Sequence, residues 1–168
     1  LISGTYTCIV TDANGCTINS GNIFVNQPSA LSISNSTLAV SCNGGSNGTA
    51  TVIPNGGTSP YFYLWNNGIT NQSLTGLNSG TYTCIVTDAN GCTINSGNIF
   101  VSQPTALSIS NSTLAVSCNG GNNGTATVSV SGGAGGYSYS WSNGQNAATA
   151  VGLISGTYTC IVTDANGC

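Results

Sequence analysis

The chain has 168 residues, of which 39% are hydrophobic, and its only charged side chains are three aspartates, which give a net charge of −3. Because binding to phosphate groups requires lysine or arginine, this composition excludes nucleic acid as a partner and argues against an anionic membrane surface. Enzyme classes that need histidine, lysine or paired carboxylates are excluded as well. We therefore expect a folded, non-enzymatic chain that needs no cofactor and does not insert into a membrane.

The chain repeats itself with a period of 76 residues. The sequence of residues 4–8 recurs at 80–84 and 156–160, and residues 153–168 are identical to residues 1–16. A repeat of this size fits a small domain with its own core better than one coil of a solenoid. With the Gln-Pro pairs as boundaries, we expect the end of one repeat in 1–28, a complete repeat in 29–104 and most of a further repeat in 105–168. Such a chain is expected to be a segment of a much longer array.

Alternating apolar and polar residues predict the strands of the complete repeat, and Gly-rich and Asn-rich segments predict its turns. An Asn-Gly pair, Asn90-Gly91, predicts a tight hairpin turn between strands F and G. No segment has a helical period, so we expect an all-β, immunoglobulin-like sandwich of about seven strands. The predicted strands are 31–34 and 37–41 for strand A, 49–52 for B, 61–65 for C, 72–77 for E, 80–87 for F and 93–101 for G. Residues 1–28 then hold strands F and G, and residues 105–168 hold strands A to F.

Two aromatic positions support the immunoglobulin-like prediction. Trp65 and its counterpart Trp141 lie on strand C, where that fold buries a tryptophan. Tyr82 lies two residues before Cys84 at the start of strand F, which is the position of a tyrosine corner. The alternative is that these residues are ordinary core aromatics, which leaves the fold class unchanged.

Strand C also predicts an exposed apolar surface. Tyr63 and Trp65 are unchanged in the next repeat, whereas Phe62 and Leu64 are replaced there by serines. Since successive strand residues face opposite sides, the changed residues are expected on the outer face. Phe62, Leu64 and Ile69 are therefore candidates for a lateral contact with a neighbouring molecule or a target surface. The alternative is that a neighbouring loop covers them.

Eight cysteines indicate disulfides in an oxidising, extracellular compartment, because no histidine and no CxxC spacing accompanies them as a zinc site would require. The candidates are Cys8, Cys16, Cys42, Cys84, Cys92, Cys118, Cys160 and Cys168. In a sandwich, Cys42 and Cys92 lie at opposite ends of one domain, while head-to-tail stacking brings Cys42 near Cys168 of the next repeat. We expect Cys42–Cys168 between repeats, with Cys42–Cys84 or Cys42–Cys92 within one repeat as the alternatives.

Each repeat has a single aspartate, at the start of the Asp-Ala-Asn-Gly segment. Asp88 is a candidate calcium ligand, but calcium takes six or more oxygens and one carboxylate supplies few of them. An Asx-type turn cap is the interpretation that we prefer.

The same residues carry a family resemblance. The segment 40–52, the later glycines and aromatics up to Gly68, the segments 80–82 and 86–92, and the closing Gln-Pro pair resemble the SprB repeat of Bacteroidetes surface adhesins. The resemblance implies large secreted cell-surface filaments used for adhesion and gliding, exported through the type IX system, with a polycystic-kidney-disease or immunoglobulin-like fold. Members of that family usually have two cysteines, matching Cys42 and Cys92, and an aliphatic residue at position 84. The third cysteine sets this sequence apart.

We expect a secreted or surface-bound structural fibre whose partners are copies of itself and an unidentified surface or glycan. A discrete carbohydrate-binding module is the alternative, with Trp65 or Tyr61 as a stacking platform. Binding to ice or mineral through ranks of threonines, such as Thr49 and Thr51, is a third possibility.

Overall fold

A computed structural model describes residues 1–168 and shows an all-β chain of seventeen strands. Residues 1–28 hold β1 (Gly4–Tyr6), β2 (Ile9–Thr11), β3 (Thr17–Asn19) and β4 (Ile23–Val25). The complete repeat holds β5 (Ser32–Leu38), β6 (Gly48–Asn55), β7 (Phe62–Trp65), β8 (Ser73–Leu77), β9 (Gly80–Tyr82), β10 (Cys84–Thr87), β11 (Thr93–Asn95) and β12 (Ile99–Val101). The last segment holds β13 (Ser108–Leu114), β14 (Gly124–Ser131), β15 (Ser138–Trp141), β16 (Thr149–Leu153) and β17 (Cys160–Thr163). The chain contains no helix that is long and apolar enough to cross a membrane.

The complete repeat is a sandwich of two three-stranded antiparallel sheets with the additional strand pair β12-β9, as the alternating pattern predicts. One sheet has the strand order β5-β6-β8 and the other β11-β10-β7. Alternate residues of the strands point into the space between the sheets and form one core of ten buried residues. The largest fully buried side chain is that of Trp65, and its indole Nε1 donates a hydrogen bond of 2.7 Å to the Asn71 carbonyl oxygen. A buried tryptophan thereby contributes apolar area without leaving its polar atom unpaired.

The predicted tyrosine corner is confirmed in all three copies of the segment. The Tyr82 hydroxyl donates to the Asn78 carbonyl oxygen at 3.1 Å, and the same bond four residues back is made by Tyr6 and Tyr158. This hydrogen bond anchors the start of strand F to the chain that leads into it.

The prediction of two short pieces for strand A is wrong. β5 is one strand that pairs with β6 from Ser32 opposite Asn55 to Leu38 opposite Thr49 without a break in register. The ladder continues through Asn35 and Ser36. Because both residues are exposed on an edge strand, their polar side chains can belong to the strand without being buried. Strand B likewise extends three residues beyond its predicted end, to Asn55.

The prediction of continuous strands F and G is also wrong, because each is interrupted. β10 pairs with β11, whereas β9 pairs with β12. At the interruption, the Ser96 hydroxyl accepts a hydrogen bond from the Cys84 amide at 2.9 Å, and Gly97 takes a φ of +67°. A side chain thus substitutes for a backbone partner at this point of the ladder, and the positive φ at Gly97 turns the chain. β12 then packs against β5 and β6 at the end of the sandwich that holds the A–B loop.

The flanking segments follow the same plan. Residues 105–168 form the sheet β13-β14-β16 and the pair β15-β17, around a core of five buried residues that includes Trp141. Residues 1–28 form the pairs β1-β4 and β2-β3, which correspond to strands F and G. The two larger segments meet end to end at the linker that contains Gln103 and Pro104.

Candidate functional site at the repeat junction

A disulfide joins the complete repeat to the segment that follows it. Cys42 lies in the loop between β5 and β6, and Cys168 lies in the turn after β17. Their Cα atoms are 5.7 Å apart although 126 residues separate them in sequence. The bond therefore connects the A–B end of one repeat with the F–G turn of the next.

The loop around Cys42 also holds the linker between the repeats. The Gly44 amide donates to the side-chain oxygen of Gln103 at 2.8 Å, and the Asn43 side-chain amide donates to the Pro104 carbonyl oxygen at 3.0 Å. Both contacts involve the Gln-Pro pair that marks the repeat boundary in the sequence. Because its polar groups are bonded to the preceding repeat, this linker is a fixed connection rather than a free tether.

A further hydrogen bond crosses the junction beside the disulfide. The side-chain amide of Asn166 donates to the Ser41 carbonyl oxygen at 2.8 Å. The Cys168 sulfur lies 3.5 Å from the same oxygen. Because the Cys168 sulfur is part of the disulfide and carries no hydrogen, its contact with the Ser41 oxygen is a packing contact and not a hydrogen bond.

Asp164 fixes the shape of the turn that carries Cys168. One carboxylate oxygen accepts the amides of Asn166 and Cys168, each at 2.9 Å, and the other accepts the Ala134 amide at 2.8 Å. The N–H groups of Ala134 and Cys168 lower the pKa of Asp164 against the raising effect of burial. Three backbone donors on one carboxylate are the geometry of the Asx-type cap, so the side chain positions Cys168 toward the neighbouring repeat.

A glycine makes this cap possible. Gly133 lies against the Asp164 carboxylate with a φ of +63°, and a Cβ atom there would lie 2.6 Å from the carboxylate oxygen. Only glycine accommodates both the backbone conformation and the close approach.

The same aspartate cap recurs in the F–G turn of the complete repeat. This turn follows only the partial repeat 1–28, which has no A–B loop to contact it. Asp88 accepts the amides of Asn90, Cys92 and Thr58 at 2.9, 2.8 and 3.0 Å. Burial raises the pKa of Asp88, but these N–H groups outweigh it and the pKa lies below its ordinary value. A hollow lined by Ser29, Ala30, Leu31, Gly57, Asp88 and Cys92 corresponds position by position to the one at the junction, where Cys42 and Asn43 complete the lining. The same hollow is therefore present at Asp88 without an A–B loop beside it.

The remaining cysteines fall into two groups. Cys8, Cys16, Cys92 and Cys118 are free and exposed. Cys84 is free and fully buried on the inner face of β10, opposite Trp65, and Cys160 is its half-buried counterpart. Burial raises the pKa of the Cys84 thiol, and a backbone hydrogen bond with Leu64 offsets part of this increase. Neither alternative partner of Cys42 within its own repeat, Cys84 or Cys92, is bonded to it in the structure.

The outer face of the C–F–G sheet carries an apolar patch in the complete repeat. Phe62 is 61% exposed and Leu64 52% exposed, and Ile69 near the end of β7 is 43% exposed. Leu64 lies directly opposite Ile85 on β10, which extends the patch across two strands. The next segment has the exposed serines Ser138 and Ser140 at the equivalent positions. No neighbouring loop of the chain covers these residues.

The aromatic stacking platform that the alternative, a carbohydrate-binding module, would require is not formed by Trp65 or Trp141 at the surface. Trp65 is only 2% exposed and Trp141 is also buried, and each indole donates to a backbone carbonyl. The Tyr61 hydroxyl donates a hydrogen bond of 2.6 Å to the Gly56 carbonyl oxygen. The strand C aromatic residues that are the same in both repeats therefore lie in the core or pack against it.

The sequence marked Gln103 as part of the repeat boundary, but it did not identify the other polar residues of the junction, namely Ser41, Asn43 and Asn166. Each lies within two residues of a cysteine or a boundary proline that the sequence did single out. These residues are identical in every copy, whereas many positions differ between residues 53–75 and 129–151, and this contrast is the signal that marks them.

A family model described as the SprB repeat matches residues 34–70 and residues 110–146. The matches begin 76 residues apart and each runs from strand A to the end of the turn after strand C. No curated protein matches the chain.

Proposed function

We propose that this chain, in which two segments match the SprB repeat, is a structural segment of a long extracellular filament or cell-surface adhesin. The repeats stack head to tail and disulfides stiffen the stack. The function then belongs to the array, which carries an adhesive or motility function away from the cell, rather than to any single site.

The observation that supports this proposal most directly is the junction between Cys42 and Cys168. A covalent bond, the Asn166–Ser41 hydrogen bond and the two bonds to the Gln-Pro linker all act on one interface. With three kinds of constraint at one end-to-end contact, bending between the repeats requires breaking several of them together. A filament built in this way resists bending.

Because the sequence repeats, the same cysteine pairing can form at every junction. The cysteine of each A–B loop bonds the cysteine of the F–G turn in the following repeat, as Cys42 bonds Cys168. By this rule Cys118, the counterpart of Cys42, bonds a following repeat, and Cys92, the counterpart of Cys168, bonds a preceding one. Both are exposed, as such a role requires. Forming each bond from two thiols releases two protons and two electrons, which the oxidants of an extracellular or export compartment accept.

Composition supports an extracellular assembly of many copies. The three aspartates are the only charges, and the two in the larger segments are buried in turn caps. Electrostatic repulsion between copies is therefore small, which favours close packing of repeats.

Imaging of the native assembly tests the proposal. Electron micrographs should show long filaments with a regular axial spacing of one repeat, and non-reducing peptide mapping of the same material should join Cys42 to Cys168. Dispersed monomers in the images would contradict the filament. A peptide joining Cys42 to Cys84 or to Cys92 of the same repeat would contradict the junction rule while leaving the filament itself intact.

A further inference from the structure

The longest free edge of the sandwich is strand A. β5 lies at the edge of the sheet β5-β6-β8 and has seven residues, whereas no other edge strand of the complete repeat has more than five. β12 packs against β5 but forms its own ladder with β9. One side of β5 therefore presents a row of backbone N–H and C=O groups without strand partners, which is a template for pairing with another strand.

This edge lacks the features with which proteins usually protect such strands. β5 has the sequence SISNSTL, with no proline, no charge and no bulge, and its register with β6 is unbroken. Six of its seven residues are exposed, and only Ile33 is partly buried. Asn35 and Thr37 point to the same face as Ile33 but are exposed, so the opposing sheet does not extend far enough to cover the edge.

The same edge occurs twice in the chain. β13 has the identical sequence, pairs with β14 in the equivalent register and is exposed along its whole length. The edge is therefore a feature of the repeat and would be present at every period of an array.

We propose that strand A pairs antiparallel with strand A of a second copy of this chain, so that the two A–B–E sheets join into one six-stranded sheet. This lateral contact is separate from the end-to-end stacking and does not depend on it. It would join neighbouring filaments side by side, whereas the disulfide junction extends each filament along its axis.

The sequence of the strand supports a second copy as the occupant, because the strand is self-complementary. In an antiparallel pair centred on Asn35, the two Asn35 side chains meet at the two-fold axis, Ser34 faces Ser36, and Ile33 faces Thr37. A carboxamide has both donors and an acceptor, so two such groups can bond each other. No charged side chain lies on either strand, so the pairing meets no like-charge repulsion.

The test measures association of the 168-residue chain in solution. The exposed free cysteines are first replaced by serine at positions 8, 16, 92 and 118, so that thiol cross-linking makes no contribution. Sedimentation velocity over a range of concentrations should show reversible dimers and larger species. Asn35→Asp with Asn111→Asp should weaken association by about tenfold or more, because like charges directly opposite each other destabilise a cross-strand pair.

Two controls separate the edge from general charge and folding effects. Asn22→Asp with Asn98→Asp adds the same charge at exposed positions outside strand A and should leave association unchanged. Asn35→Lys with Asn111→Lys should weaken it as the aspartates do, despite the opposite sign of the charge. Circular dichroism verifies that each variant remains folded, and amide exchange of β5 should slow as the concentration of the parent rises. A parent that stays monomeric up to its solubility limit would overturn the proposal, as would association that is lost with Phe62→Ser and Leu64→Ser but retained in the strand A variants.

Discussion

The side-chain amide of Asn166 donates to the Ser41 carbonyl oxygen of the preceding repeat, whereas Asn90, at the equivalent position one period earlier, donates to the Thr58 hydroxyl of its own repeat. The counterpart of Thr58 in the last segment is Ala134, which has no hydroxyl. The same residue of the same turn thus bonds within a repeat in one copy and between repeats in the other. The hydrogen-bond partner of this asparagine depends on whether the B–C loop has a threonine or an alanine and on whether a neighbouring repeat is present.

This difference predicts that Asn166 stabilises the closed junction. Asn166→Ala should increase the rate at which dithiothreitol reduces the Cys42–Cys168 disulfide by about fivefold, because one hydrogen bond contributes about 1 kcal/mol to the closed junction. Alkylation of the released thiols and mass spectrometry measure the rate. Asn90→Ala makes the same change in a turn that does not contact this disulfide, and it should leave the rate unchanged. Equal rates in Asn166→Ala and the parent would contradict the role.

Removal of the junction disulfide should destabilise the chain. Replacing both Cys42 and Cys168 by serine is expected to lower the free energy of unfolding by about 2–4 kcal/mol, because the bond closes a long loop and restricts the unfolded state. Denaturant unfolding under non-reducing conditions measures the change. Cys92→Ser removes an exposed free thiol and serves as the control, for which we expect a change within about 0.5 kcal/mol. A double variant as stable as this control would show that the junction bond does not constrain the chain.

The buried thiol of Cys84 should be unreactive in the folded protein. Burial excludes reagents and raises the pKa of the thiol, so little thiolate is available at neutral pH. Iodoacetamide should modify Cys8, Cys16, Cys92 and Cys118 under native conditions and reach Cys84 only after unfolding, as mass spectrometry of the peptides would show. Rapid native labelling of Cys84 would contradict its burial.

Substitution of Cys84 tests its place in the core directly. Cys84→Ser should destabilise the complete repeat by about 1–3 kcal/mol, since it buries a hydroxyl among apolar side chains. Cys84→Val keeps an apolar group at the position and should be tolerated better. Thermal unfolding of the two variants provides the comparison, and the opposite order of stability would be inconsistent with an apolar environment.

Stability should decrease in acid because of the two turn caps. The pKa values of Asp88 and Asp164 are lowered in the folded chain, so their contribution is fully present above the unfolded value of about 3.9 and is lost as the pH falls through the lower folded values. Asp164→Asn should flatten the acid limb of a plot of unfolding free energy against pH. Asp12→Asn removes one charge from an exposed turn and serves as the control. An acid limb that is unchanged in Asp164→Asn would contradict the cap.

The apolar patch on the C–F–G sheet can be removed without disturbing the core. Phe62→Ser with Leu64→Ser reproduces the serines found one period later, so unfolding free energy should change by no more than about 0.5 kcal/mol. Retention on a hydrophobic-interaction column should fall, because two exposed apolar side chains are lost. Loss of stability instead of surface affinity would show that the side chains support the fold rather than a contact.

Local chemistry explains why much of the fold could be predicted. The period of two residues in strands B and C, the Asn-Gly turn and the position of Tyr82 each depend on neighbours within a few residues, and the structure agrees with them. The interruption of strand F could not be predicted in this way, because it depends on Ser96 bonding to Cys84, twelve residues away and across the hairpin.

The all-β class, the 76-residue period and the alternation that buries Trp65 and exposes Phe62 can be predicted from the sequence, because each of these follows from residue spacing along the chain. The folded chain is needed to establish which cysteines meet, which carbonyl Asn166 binds and which strand is left with a free edge. The free edge depends on how the strands of one repeat assemble into sheets, and the other two outcomes depend on how two folded repeats are placed against each other. Cys42 and Cys168 are 126 residues apart in sequence and become neighbours only after both repeats have folded and stacked.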